Sequence, residues 1–253
     1  MTDLVTGKNY YFASDFHLGL KAGTDPLIRE KHVVNWLSSI EEKADAIFLV
    51  GDLFDFWWEY SKVVPKGFTR FLGKISELTD RGIKVHFFTG NHDMWVGDYL
   101  SSECGMIIHR GEYRFESNGK RFYIAHGEGL GIRETGYKIL LWIFRNRFLQ
   151  SLYSAIHPRI GIGIGQSWSE NSRLAKNYTK EFMGEADESL FRHAAATLSK
   201  EEVDFFIFGH RHLALDRPVG EKSRLLILGN WFNAPVYAEW NGIELVMHDF
   251  PYR

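Results

Sequence analysis

Six short apolar runs each end in a residue that can hold a metal ion or move a proton. They are YYFASDFH (10–17), AIFLVGD (46–52), VHFFTGNHD (85–93), FYIAHG (122–127), FFIFGH (205–210) and LLILGN (225–230). The polar endings supply Asp15 and His17 as D-x-H, Asp52 in GD, Asn91 in GNHD, His126 in HG, and His210 and His212 as H-x-H. Carboxylate, imidazole and amide without thiolate suit divalent ions such as Mn, Fe, Zn or Co rather than a structural zinc cluster. Seven donors are too many for one four-coordinate ion. Two ions sharing a bridging carboxylate would use them all. In D-x-H and H-x-H, alternate residues of an extended segment face one side, so both side chains can reach one centre. Gly-Asp and Gly-Asn are also ordinary turn dipeptides, and a single histidine is more often structural than ligating. Six such endings in one chain outweigh that account. His32, His86, His109, His157, His193 and His248 lie outside the pattern and are read as structural.

These endings need elements that aim them at one place. Apolar runs of four to seven residues bounded by glycine predict buried strands. Helix-compatible stretches at about 26–43 and 67–80 separate the first three runs, and alternating strands and helices predict an α/β core. Ligands of such sheets sit beyond the carboxyl ends of the strands, so the six endings should converge on one rim. The stretch GDLFDFWW (51–58) adds two expectations. Asp55 should orient the site without being a ligand, and Phe56, Trp57 and Trp58 should wall a substrate or a covering segment.

Residues 132–180 break the pattern. They carry eight Lys and Arg against two acids, a local charge of +6, and GYKILLWIFRNRFLQSLYSAI has helix-compatible apolar spacing. This predicts a helical insertion over the site, with a helical layer packed on the core as the alternative. Basic residues among aromatics suit a phosphate-bearing amphiphile or an anionic membrane surface. The acidic stretch 181–204 reads as a solvated helix.

Composition narrows the partners. A net charge of −2 is not that of a dedicated duplex nucleic-acid binder, and no nucleic-acid partner is expected. The lone Cys104 cannot form an internal disulfide, no signal-peptide pattern opens the chain, and no stretch approaches 18 apolar residues. A cytoplasmic protein is expected.

The ordered set DFH, GDLFD, GNHD, HG and GHRH resembles the calcineurin-like metallophosphoesterases over nearly the whole chain. The resemblance implies an α/β two-sheet αββα sandwich over residues 1–253 as a single domain. It makes the insertion at about 132–185 a helical lid, and it implies a dinuclear centre at the strand ends. Carried over by motif, Asp15, His17 and His212 would hold one ion and Asn91, His126 and His210 the other, with Asp52 bridging. His92 would stabilise transition-state charge or protonate the leaving oxygen, with Asp93 orienting it. Two divalent ions, Mn first among them, are the implied cofactors.

Within the family the similarity is to the branch that hydrolyses the pyrophosphate of UDP-2,3-diacylglucosamine in lipid A synthesis, releasing UMP and the sugar 1-phosphate. Phe56-Trp57 after GDLFD, Glu134 in ETGY, the segment NSRLAKNYTK and LGNW carry that similarity. It implies substrate contacts from Asn91, His92, Glu134, Ser172, Asn177, Lys180 and His210. A nucleotide-sugar lipid substrate and peripheral contact with the cytoplasmic face of the inner membrane follow. The chain departs from that branch in GNHD for GNRD, in Glu128 after HG, and in Arg211 between the two histidines, where it could contact phosphate. A phosphodiesterase or phosphatase acting on another phosphoester is the alternative. A non-catalytic scaffold or membrane adaptor is disfavoured, because all seven ligand positions are filled. The motifs carry no signal for oligomeric state.

Overall fold

The computed structural model describes residues 2–3, 9–130, 141–144, 146–175, 182 and 184–252. In one sheet, β2 (Asn9–Ala13), β3 (Ala44–Val50), β4 (Lys84–Phe88) and β5 (Ile107–His109) run parallel in that order. The same sheet continues from β2 into β11 (Val236–Trp240) and β12 (Leu245–Asp249), both joined antiparallel. The second sheet has the spatial order β1 (Thr2–Asp3), β6 (Tyr113–Ser117), β7 (Lys120–Ala125), β8 (Phe205–Phe208), β10 (Ser223–Leu228) and β9 (Ala214–Val219). Its central strands β7, β8 and β10 are parallel. The helices are α1 (Pro26–Ile40), α2 (Thr69–Asp80), the short α3 (Tyr99–Ser102), α4 (Arg147–Ser154), α5 (Pro158–Ala175) and α6 (Ser189–Leu198).

Strand alternation sorts side chains into layers. Tyr10, Phe12, Phe48 and Val50 point between the sheets and meet Phe115, Phe122 and Ile124 from the other side. Their neighbours Tyr11, Ala13, Ile47 and Leu49 face outward onto Val33, Trp36 and Leu37 of α1 and Phe71 and Ile75 of α2. On the far face, Tyr123, Phe206, Phe208 and Ile227 pack on Leu190, Phe191 and Ala194 of α6. The chain is therefore the expected αββα sandwich. Much of its aromatic content fills the inner layer, where Phe48, Phe115 and Phe122 stack at centroid spacings of 5.3 and 4.6 Å.

The start of α1 also secures the rim. The Asp25 carboxylate accepts hydrogen bonds from the backbone N–H of Leu27 and Ile28, and Pro26 opens the first turn. From that turn the fully buried Arg29 donates at 2.7 Å to each of the carbonyls of His17, Ala22 and Thr24. The loop after D-x-H is thus tied to the helix by its own backbone oxygens.

Two expectations need correction. Residues 181–204 are not simply a solvated helix, because α6 buries one face and Glu188, just ahead of it, is fully buried. Trp57 is not a wall: it is fully buried against Phe54 at 4.3 Å and donates its indole N–H to Glu59. The residues on either side of it do face the helices of the inserted stretch. Trp58 meets Tyr153 of α4 at 4.3 Å, and Phe56 lies against Gly165 of α5. Among the described residues, no helix is long and apolar enough to cross a membrane.

Candidate metal centre

Every strand that points its carboxyl end at the rim delivers a polar residue within one to three positions. Asp15 follows β2, Asp52 follows β3, Asn91 follows β4, His126 follows β7, and His210 follows β8. Asp15, His17, Asp52, His210 and His212 all adopt φ between 44° and 67°, a region where non-glycine residues are uncommon and strained. Strain at five predicted ligands is a local cost that the surrounding packing must offset. Two glycines make the approach close enough: a Cβ on Gly51 would overlap the His126 ring, and one on Gly90 would overlap the Asp52 carboxylate. The sixth ending is not a ligand. Asn230 donates to the His212 carbonyl at 3.0 Å, and the Trp231 N–H donates to the Asp15 carbonyl at 3.1 Å, so LGNW braces both D-x-H and H-x-H.

The predicted ligands converge as two groups with one shared member. Ligand atoms of Asp15, His17, Asp52 and His212 lie within 4.8 Å of one another, as do those of Asp52, His126 and His210. Asp52 Oδ2 is 3.3 Å from His126 Nε2 and 3.7 Å from His17 Nε2, so it faces both groups. Its other oxygen accepts the His92 backbone N–H at 2.9 Å. Asp15 divides its oxygens in the same way. Oδ2 accepts from Ser14 Oγ at 2.5 Å and from the His210 N–H at 3.0 Å, while Oδ1 faces His212 Nε2 at 3.1 Å. One oxygen of each carboxylate is anchored, and the other is turned inward.

The inward atoms fit a cation. Asp15 Oδ1, Asn91 Oδ1 and His126 Nε2 are buried without a hydrogen-bond partner, which is costly unless something else satisfies them. His17 Nε2 and His212 Nε2 point at each other across 3.0 Å. Two imidazole nitrogens at that distance require a cation or a proton between them. His126 Nδ1 donates to the Val50 carbonyl at 2.8 Å, which fixes the ring and leaves Nε2 for a ligand bond.

Electrostatics point the same way. Burial opposes the charge on Asp15, yet His17 and His212 hold its carboxyl well below the usual range. Asp52 is likewise lowered against its burial, through the charges of His126 and His92. His17 is pushed up to about 9 despite burial, because the carboxylates of Asp15 and Asp55 each stand 3.7 Å from its ring nitrogens and Asp52 adds its charge. His126 is raised against burial by Asp52. His210 falls to about 3, through burial first and the His126 charge second. The field of the pocket favours positive charge.

Around this centre several assignments change. Asp93 is fully buried and accepts from the backbone N–H of Gly90 at 2.7 Å, Leu53 at 2.7 Å and Phe54 at 3.3 Å. It ties GDLF to GNHD, and its carboxyl rises to about 7 through burial and the Asp52 charge. His92 Nδ1 is instead 3.0 Å from the Asp55 carbonyl and 2.9 Å from Ser169 Oγ of α5. Asp55 stands 3.7 Å from His17 Nδ1, in the supporting place expected for it. Arg211 is engaged elsewhere than with phosphate: its guanidinium donates twice to Glu188, at 2.6 and 3.0 Å. Glu134, Asn177, Lys180 and the side chain of Ser172 lie outside the described residues. Sequence reasoning missed Ser14, Arg29 and Ser169. Ser14 adjoins the D-x-H motif, with its hydroxyl 2.5 Å from Asp15 Oδ2 and 2.7 Å from the Val50 carbonyl, whereas Arg29 and Ser169 act through contacts farther along the chain.

Beside the centre opens an apolar cavity of about 170 Å³. Asp55, Asn91, His92, Gln150 and Ser169 are its polar lining, and Phe56, Trp95, Phe144, Leu149 and Ile164 are among its apolar walls. It therefore lies between the rim and helices α4 and α5.

Known proteins resemble the chain in sequence over most of its length. The calcineurin-like phosphoesterase family model matches residues 9–214. The UDP-2,3-diacylglucosamine hydrolase of Porphyromonas gingivalis is 41% identical over 94% of this chain and 95% of that protein. The UDP-2,3-diacylglucosamine hydrolase of Escherichia coli K12 is 24% identical over 95% of this chain and 98% of that protein. Among solved structures, a dimetal phosphatase from Danio rerio aligns with a TM-score of 0.47 at 13% identity, covering 97% of this chain and 100% of that one. With its five ordered motifs gathered at one rim and the family model spanning most of its length, the chain belongs to the calcineurin-like phosphoesterases.

Proposed function

We propose that this enzyme hydrolyses the pyrophosphate bond of UDP-2,3-diacylglucosamine, giving UMP and 2,3-diacylglucosamine 1-phosphate in lipid A biosynthesis. The observation that carries the reading is a mainly apolar cavity that reaches Asn91 and His92 of the rim. A soluble nucleotide needs no such wall, whereas an acyl chain attached near a phosphate does. The relative at 41% identity supports the same substrate.

In this reading Asp15, His17 and His212 hold one divalent ion, Asn91, His126 and His210 the other, and Asp52 lies between them. Manganese is the proposed ion, with Fe, Zn or Co as substitutes the same donors accept. The bound pair would supply an activated water and clamp the phosphoryl oxygens for in-line attack. The protein's own part is orientation and charge. His92 presents its ring to the leaving oxygen, and Asp93 keeps the two loops that carry Asp52 and Asn91 in register. Glu134, Ser172, Asn177 and Lys180 are proposed to bind the nucleotide sugar from the lid at about 132–185. Exposed Trp142 (69%) and Phe148 (70%) beside Arg147 support peripheral attachment to the cytoplasmic face of the inner membrane.

The test is hydrolysis of UDP-2,3-diacylglucosamine with Mn²⁺, followed by product analysis. Release of UMP with the sugar 1-phosphate is expected. Release of UDP, or activity only on simple phosphodiesters, would return the enzyme to the broader family chemistry. Sedimentation with anionic vesicles reads the attachment separately, and wild-type protein remaining in the supernatant would remove it.

A further inference from the structure

The sequence of α5 contains GIGIGQSWS, a glycine pattern that a helix tolerates poorly. Its position explains it. Gly161, Gly165 and Ser169 are spaced by four residues and form one face of the helix. A Cβ on Gly161 would overlap the Tyr60 hydroxyl, and one on Gly165 would overlap the Phe56 ring. The helix backbone is therefore pressed directly onto the segment 55–60. Ser169, the next residue on that face, is only 3% exposed.

Its hydroxyl completes a directed chain of hydrogen bonds. Ser169 Oγ lies 2.9 Å from His92 Nδ1 and 3.2 Å from Asp55 Oδ1, and the same Nδ1 is 3.0 Å from the Asp55 carbonyl. A carbonyl only accepts, so Nδ1 must carry the hydrogen. Ser169 Oγ then accepts the second branch of that N–H, and its own O–H donates to the Asp55 carboxylate. The arrangement satisfies all three groups and settles which edge of the imidazole is occupied. Nε2 lies on the opposite edge of the ring, the edge that this reading turns to the substrate.

We propose that Ser169 is a positioning residue, through which the seating of α5 on residues 55–60 fixes the His92 ring for catalysis. The inference rests on the reading of His92 as the group that meets the leaving oxygen. It adds that the helix covering the apolar cavity also completes the orientation of a catalytic side chain. With α5 lifted away, His92 keeps the Asp55 carbonyl but loses the hydroxyl, and the ring is freer to turn. The contact suits histidine at position 92. An arginine there would be a donor-only group with no ring nitrogen to orient.

A double-mutant cycle of Ser169→Ala and His92→Ala tests the proposal, read by kinetics and by hydrogen exchange of the α5 amides. Loss of an orienting partner is expected to lower kcat about tenfold for Ser169→Ala, with KM within about twofold. The effect should be equal on UDP-2,3-diacylglucosamine and on a small chromogenic phosphodiester. Ser169→Thr, which keeps the hydroxyl, should recover activity to within about threefold of wild type. In the His92→Ala background, Ser169→Ala should cost nothing further. A loss that persists there, or one that appears in KM alone, overturns the positioning role. Amides at 165–169 should exchange about tenfold faster in either single variant and no faster in the double variant. Unchanged exchange in both single variants overturns the coupling whatever the substrate. Wild-type activity on the chromogenic diester without activity on the nucleotide-sugar lipid would sink the substrate reading alone, and the cycle would still decide the role of Ser169. Inactivity on both would overturn the catalytic half of the proposal.

Discussion

The rim of strand ends and the helices laid across it solve different problems with different materials. At the rim, the two carboxylates read as ligands each have one oxygen fixed by a main-chain N–H, Asp15 by His210 and Asp52 by His92, with the other turned inward. Asp93 spends its carboxylate on three backbone donors. The helices α4 and α5 meet the rest of the molecule through glycines and aromatic rings, as at Gly165 with Phe56 and Trp58 with Tyr153. They leave Phe148 and Ile160 exposed, and Trp142 ahead of α4 is exposed as well. Metal chemistry requires directed bonds at set lengths, so its atoms are tied to backbone. Apolar burial is non-directional, so the helical seam needs only shape and the exclusion of water. Ser169 is where a directed bond crosses from one region to the other.

The largest expected effect breaks the rim. Asp52→Asn keeps the size of the side chain but removes the charge that faces both ligand groups. We expect turnover to fall by roughly 10³-fold or more, with far-UV circular dichroism unchanged and fewer metal ions retained in equilibrium dialysis. Activity within tenfold of wild type would mean that the two groups do not work as a pair.

Next is the ion pair that anchors the segment carrying His210 and His212. The Arg211 and Glu188 side chains are 10% and 0% exposed, so solvent screens little of their interaction. Arg211→Met leaves a buried carboxylate without its partner and should destabilise the fold by about 3 kcal/mol. The double variant Arg211→Met, Glu188→Leu should recover most of that, because a buried pair contributes little beyond an apolar replacement. Urea unfolding midpoints measure both. A single variant as stable as wild type, yet with a raised KM, would restore Arg211 to the phosphate.

A smaller effect separates the seam from the rim. Leu149 lines the apolar cavity from α4. Leu149→Asp places a charge where an acyl chain is proposed to lie, and should raise KM for the diacylated substrate about tenfold. A small chromogenic diester, which has no acyl chain to lay against Leu149, should be hydrolysed at the wild-type rate. Equal losses on both substrates would show that the helices shape the whole site rather than the lipid end of it.

The two regions also differ in how far they were legible in the sequence. Glycine-bounded apolar runs located β2, β3, β4, β7, β8 and β10, and the residue types after them named the side chains that the structure gathers at one rim. The partners of those ligands were not legible. Nothing local marks Arg29 as the clasp of the loop after His17, and although Ser14 adjoins Asp15 in the chain, its hydroxyl is also held by the Val50 carbonyl that only folding brings near. Asp93 was read as the partner of the adjacent imidazole, whereas its fully buried carboxyl is better satisfied by three N–H groups. The glycines of α5 carried no readable signal in the sequence, and their reason lies in Tyr60 and Phe56 packed against them.

The last prediction concerns how the strand that leads into the rim responds to acid. His86 of β4 stacks on Phe48 at 4.6 Å, and its Nδ1 is 2.9 Å from His109 Nε2 of β5. Burial, then any charge on His109 and on Lys84, pushes its pKa down to about 3. The Tyr113 ring, 5.8 Å away on β6, brings no counter-charge. A histidine that stays neutral in the fold but takes a proton near pH 6.5 when unfolded stabilises the protein fully above that pH. Its contribution is then lost progressively as the pH falls from 6.5 toward 3. Stability of the wild type should therefore drop by roughly 1–2 kcal/mol from this group between pH 6.5 and 5. His86→Gln cannot titrate, so its unfolding midpoint should be lower at pH 7.5 but should change less on acidification. Parallel midpoint curves for the two proteins would place the acid sensitivity at the rim and not in the strand beneath it.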